Sequence, residues 1–140
     1  MNTLFVRSRN RDFMMACRRR LAALNVEGHA PQTLDEVYAV ADYVLAQPAP
    51  GYYVDYYRAC HILVHALCDN RPPEPKYESG QMWADMYRDL LEAIKRHPTT
   101  PTRALIFSMC AGEIGNPRFY ISQRTAYKLI RQNLTKSYSL

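Results

Sequence analysis

Glycine is scarce in this chain: five residues among 140, at positions 28, 51, 80, 112 and 115. None belongs to a G-x-G-x-x-G or G-x-x-x-x-G-K-[ST] pattern, so the usual glycine-rich phosphate cradles are absent. A G-x-S-x-G nucleophile elbow is also missing. No apolar run approaches the ~20 residues of a membrane span, so no membrane partner is expected. The first twenty residues carry Arg7, Arg9, Arg11, Arg18, Arg19 and Arg20 and no apolar core, so a secretory leader is not expected. The four cysteines, Cys17, Cys60, Cys68 and Cys110, contain no C-x-x-C pair. Without a leader, a reducing cytoplasmic setting is expected, and all four lie in apolar-periodic stretches that suit buried structural thiols. Acids are lacking at one end: residues 118–140 contain none.

What is present is ordinary globular material. Apolar residues make up 48% and charged residues 22%. The length suits one domain, large enough to bury a core without a metal or disulfide staple. The net charge of +5 is unevenly laid out. Residues 1–20 hold six arginines against Asp12. Residues 118–140 hold Arg118, Arg124, Lys128, Arg131 and Lys136. The stretch 21–117 holds seven bases against twelve acids. Such a basic–acidic–basic layout suits a polyanion-binding surface built from both ends, or complementarity between ends and middle.

Helix signals recur along the chain. Phe13, Cys17, Leu21 and Leu24 form a stripe at i, i+4, i+8 and i+11, predicting a helix over 10–24. Thr33 and Glu36 form a capping box that opens a helix ending before Pro48. Asp55 caps a third helix to about Leu67. Ser79 caps a fourth, through Trp83, Met86, Leu90 and Ile94, that stops before Pro98. Thr100 followed by Pro101 reads as N-cap and first helical residue of a fifth, ending near Gly112. Ser122 caps a sixth through about Leu134, and 135–140 read as a loose tail. No period-2 pattern of useful length appears. The expected fold is all-α, a compact bundle of about six helices in a single domain.

A duplication underlies this order. The stretch Pro50–Leu63 lies over Pro117–Ile130 at an offset of 67, with Pro50/Pro117, Tyr53/Tyr120 and Ala59/Ala126 identical. Tyr52/Phe119, Val54/Ile121, Ile62/Leu129 and Leu63/Ile130 are conservative matches, and Asp55/Ser122 are both good caps. With a two-residue shift, Phe13, Cys17 and Leu21 fall on Met82, Met86 and Leu90. Two similar three-helix halves are therefore expected, about 10–68 and 79–135, each reading helix, helix, P-x-[YF]-Y-[VI], capped helix. In each motif the proline ends the previous helix, the aromatics dock on the core, and Val54 or Ile121 staples onto Ala59 or Ala126. The segment Pro117-Arg-Phe-Tyr-Ile-Ser122, with Ala126 four residues on, resembles one found in short uncharacterised proteins of gut bacteria and their phages or mobile elements. The Gly51 copy departs from that pattern at the basic position. The resemblance implies an origin of that kind and no particular activity.

Few constellations carry chemistry. His61, His65 and Cys68 share one helical face at a spacing that could hold zinc, but His61 and His65 align with Lys128 and Gln132 of the other copy, which look like solvent positions. Asp85, Asp89 and Glu92, with Arg88, Lys95 and Arg96 nearby, read as an ion-paired helix face. No enzyme, catalytic residue, metal or cofactor is expected. Two binding functions remain. In the first, a non-enzymatic protein contacts phosphates of DNA or RNA through Arg18, Arg19, Arg20, Arg118, Arg124, Lys128 and Arg131. The ten-residue gap before Ser122 is too long for a standard helix-turn-helix. In the second, Tyr52, Tyr53, Tyr56 and Tyr57 sit at an interface with a second copy or another protein.

Overall fold

The computed structural model describes residues 3–73 and 80–134, which form six helices: α1 (Thr3–Val26), α2 (Leu34–Leu45), α3 (Tyr56–Asp69), α4 (Gly80–Arg96), α5 (Thr102–Cys110) and α6 (Gln123–Asn133). The fold is the expected all-α bundle. The Ser79 cap and the tail 135–140 lie outside the described residues.

Local chemistry explains three of the helix starts and one helix end. Thr33 accepts a hydrogen bond from the Glu36 amide, while the Glu36 carboxylate takes the Gln32 amide at 2.6 Å. Asp55 accepts from the Arg58 amide and Ser122 from the Thr125 amide. Each satisfies a donor that the first helical turn leaves unpaired. α3 closes on Asn70 in the left-handed region, φ 54°. Two boundaries differ from the sequence reading. α1 starts at Thr3, about two turns before the expected start at residue 10. At α5 the cap falls on Pro101, not Thr100, and no side-chain cap bond forms there.

The helices pack in two groups that cut across the chain order. One core joins α1, α2 and α6 through Phe13, Cys17, Leu21, Val37, Val40, Val44, Ala126 and Ile130. The other joins α3, α4 and α5 through Leu63, Met82, Trp83, Met86, Leu90, Ile106 and Met109. Each stretch that the sequence pattern marks as one half thus contributes its third helix to the core of the other. The two P-x-[YF]-Y-[VI] segments carry the chain across. They meet where the Ala49 amide donates to the Pro117 carbonyl at 2.9 Å, beside a single antiparallel bridge between Pro48 and Arg118.

The crossing segments send neighbouring aromatics to opposite cores. Tyr52 enters the α3–α5 group; its hydroxyl donates to Asp89 at 2.5 Å and accepts from the Asn116 amide at 3.0 Å. Tyr53, at φ 60°, turns the other way and donates to Asp12 on α1 at 2.6 Å. In the second segment Phe119 packs edge-on against Phe13 in the α1–α2–α6 core, ring centres 5.6 Å apart. Tyr120 turns back and donates to Asp85 on α4 at 2.8 Å. The two turns are made differently: the left-handed residue Tyr53 in the first, a tight bond from the Ile121 amide to the Phe119 carbonyl in the second. Asp12 and Asp85 are 73 residues apart, one helical turn beyond the separation of 69 that pairs Phe13 with Met82.

These contacts revise two readings of the sequence. Asp89 is no surface ion-pair member: it is buried, and the Tyr52 hydroxyl and the Asn116 amide satisfy it. The cysteines are not uniformly buried. Cys17 and Cys60 are, Cys110 is partly so, and Cys68 is exposed near the end of α3.

Candidate nucleic-acid interface

The exchange of third helices decides where charge goes. Residues 3–50 and 117–134, which build the α1–α2–α6 unit, hold ten Lys and Arg against five Asp and Glu. The described residues between them, 51–73 and 80–116, hold six of each. Both basic ends of the chain therefore enter one three-helix unit, and the second unit is close to neutral.

On α6 the basic residues form a row. Ala126, Ile130 and Leu134 face the core. Arg124, Lys128 and Arg131, at i, i+4 and i+7, are exposed on the opposite side. Helical geometry spaces them over roughly 10 Å along the axis. The flank facing α2 is occupied: Asp42 accepts from Gln123 at 3.0 Å and from the Tyr127 hydroxyl at 2.9 Å, while Tyr38 and Tyr127 stack with ring centres 4.2 Å apart. Burial, then the Asp42 carboxylate, push the Tyr127 hydroxyl above its ordinary pKa. These bonds fix the rotation of α6 and so aim the basic row outward.

On α1 the arginine triplet splits. Successive helical residues point about 100° apart, so Arg18 and Arg20 face different directions. Arg18 borders a small hollow with Leu21, Asn25, Pro31 and Leu134, next to the end of α6. Arg19 is exposed. Arg20 reaches the other way and lies over the Tyr43 ring of α2, 3.9 Å from its centre. Arg7 and Arg11 are exposed and fall on the same side of α1 as Arg18. Arg118 is exposed but committed: its guanidinium donates to the Ala46 carbonyl at the end of α2, a cation at a helix C-terminus. The sequence run Arg18–Arg20 is therefore not one patch, and Arg118 braces the crossing point.

The tyrosine surface expected at 52–57 is also revised. Tyr52 is only 2% exposed, and Tyr53 is half-buried on Asp12, so neither offers an interface. Burial first, and then the neighbouring carboxylate, raise the pKa of both hydroxyls, and Tyr120 behaves alike beside Asp85. Tyr57 remains exposed, while Tyr56 is partly buried against the α3–α5 core, edge-on to Tyr57 and to Phe107 of α5 at 5.2 and 5.6 Å. Phe107, missed by the sequence reading, is exposed and completes with Tyr57 and the partly buried Tyr56 an aromatic cluster on the near-neutral unit. Its signal was an apolar residue outside the buried set Leu105, Ile106 and Met109.

His61 and His65 stand side by side on the outer face of α3, ring centres 4.7 Å apart. No group of three or more potential metal ligands gathers among the described residues. No described helix is long and apolar enough to cross a membrane. Comparison with family models, curated proteins and solved structures returns no match.

Proposed function

We propose that this is a non-enzymatic nucleic-acid-binding accessory protein, working in the cytoplasm and of the phage or mobile-element kind that the Pro117–Ser122 segment resembles. The observation that carries it is the charge segregation: helix exchange brings both basic ends into the α1–α2–α6 unit and leaves the rest near neutral. Arg124, Lys128 and Arg131 on α6, with Arg18 and Arg19 on α1, supply the phosphate contacts. Arg118 acts on them indirectly, by holding the crossing segment against α2.

Counterion release sets the scale. Five phosphate contacts give a log–log salt slope of about −4.5 on duplex DNA, a loss of roughly 500-fold between 50 and 200 mM salt. Fluorescence anisotropy with a labelled duplex and a labelled single strand tests this. Replacing Arg124, Lys128 and Arg131 together by Gln is expected to flatten the duplex slope by about 2.7. Absence of binding at low salt refutes the proposal.

A protein-interaction role has its own support in the exposed rings of Tyr57 and Phe107, which flank the partly buried Tyr56, since large exposed aromatics mark partner surfaces. Its variant is Phe107→Ser, read by a change in oligomeric state or partner capture without change in nucleic-acid affinity.

A further inference from the structure

Beside the Arg20–Tyr43 contact lies an open groove of about 560 Å³ between the end of α1 and the outer face of α2. Its wall is apolar, from Leu24, Ala30 and Val40. Its polar edge carries Gln32 and Glu36, with His29 at the rim. The size suits a nucleotide-sized ligand. Arg20 forms no ion pair with any carboxylate among the described residues. It lies instead with one face on Tyr43, a ring that is itself 43% exposed. A planar cation resting on an aromatic ring presents its other face as a stacking platform, and nucleobases stack on guanidinium planes as they do on aromatic rings.

We propose that this groove takes one unstacked base of a single-stranded nucleic acid, stacked on Arg20. The inference rests on the polyanion assignment of the α1–α2–α6 unit and specifies its ligand. Arg20 and Arg19 are neighbours on α1, so a strand whose phosphates lie along the exposed arginines has a base within reach of the groove. Glu36 sets an edge preference. One of its oxygens already holds the Gln32 amide, and the second is an acceptor for an exocyclic amine. Cytosine offers such an amine and thymine does not. Glu36 stands seven residues, about 10 Å, along α2 from Tyr43, which leaves room for a base between the stacking platform and the acceptor. Its negative charge keeps phosphates out of that end. A duplex keeps its bases paired and cannot fill the groove.

The test is anisotropy with three labelled probes, oligo(dC), oligo(dT) and a duplex, at one salt concentration. The wild-type chain is expected to bind oligo(dC) several-fold more tightly than oligo(dT). Tyr43→Ala is expected to weaken both single strands about tenfold and leave the duplex unchanged. Tyr43→Phe retains the platform and is expected to behave as wild type. Glu36→Gln keeps an acceptor for Gln32 and is expected to reduce the preference for dC. Single strands that bind Tyr43→Ala as tightly as wild type, with salt-dependent binding intact, overturn the groove assignment and leave the polyanion surface standing. No binding of any probe overturns both.

Discussion

Removing one hydroxyl, in Tyr52→Phe, tests the polar junction that holds the two crossing segments on the α3–α5 unit. The Tyr52 hydroxyl donates to buried Asp89 at 2.5 Å and accepts from the Asn116 amide at 3.0 Å. Phenylalanine fills the same space, so no cavity forms. What disappears is a short bond to a buried carboxylate, worth roughly 1.5–3 kcal/mol. Asp89 keeps the Asn116 amide as a donor at 3.0 Å, so it is not orphaned. The expected loss is therefore about 2 kcal/mol, or roughly 6–10 °C in Tm for a chain of this size. Urea and thermal unfolding followed by circular dichroism measure it. Tyr120→Phe removes a comparable bond to the half-buried Asp85, which keeps Arg88 at 3.4 Å; a smaller loss of about 1 kcal/mol is expected. A Tyr52→Phe loss below ~0.5 kcal/mol, or one smaller than that of Tyr120→Phe, refutes the reasoning.

Alkaline titration reads the same contacts. The folded pKa values of Tyr52, Tyr53 and Tyr120 are raised, so folding holds their protons more tightly than the unfolded chain does. Their contribution is fully present below the unfolded tyrosine pKa near ~10 and is lost as pH climbs above it. Urea midpoints are expected to fall above that pH, less steeply in Tyr52→Phe. Gly115→Ala places a Cβ on the Tyr52 hydroxyl at a φ of +95°, and is expected to cost about 2 kcal/mol or more by the same unfolding assay. Thiol titration with a disulfide reagent is expected to show one fast group, Cys68. Burial slows Cys17, whose pKa is pushed up to about 12, and Cys110, pushed up to about 11.

The helix starts at Thr33, Asp55 and Ser122 were legible because capping is decided within four residues. So was the apolar stripe from Phe13 to Leu21. The exchange of α3 and α6 was not, because it depends on where two short extended segments cross, a contact between residues 49 and 117. The inward tyrosines were misread for the same reason. A tyrosine enters a core when a distant carboxylate receives its hydroxyl, and Asp89, Asp12 and Asp85 lie 37, 41 and 35 residues from their partners. The residues of the triplet Arg18–Arg20 are adjacent in sequence but do not share one direction on the helix. A helix scatters adjacent residues and aligns those three or four apart, which is why Arg124, Lys128 and Arg131 form a row. Phe107 was overlooked because apolar residues in a short helix are read as core.

The most direct measurement maps binding onto the backbone. A short oligo(dC) is titrated into isotopically labelled protein, and amide shifts are followed residue by residue. Charge segregation requires the shifts to concentrate in α1, α2 and α6, with Arg19, Tyr43, Arg124 and Lys128 among the residues that move. Shifts centred instead on α3 and α5, around Tyr57 and Phe107, would contradict it.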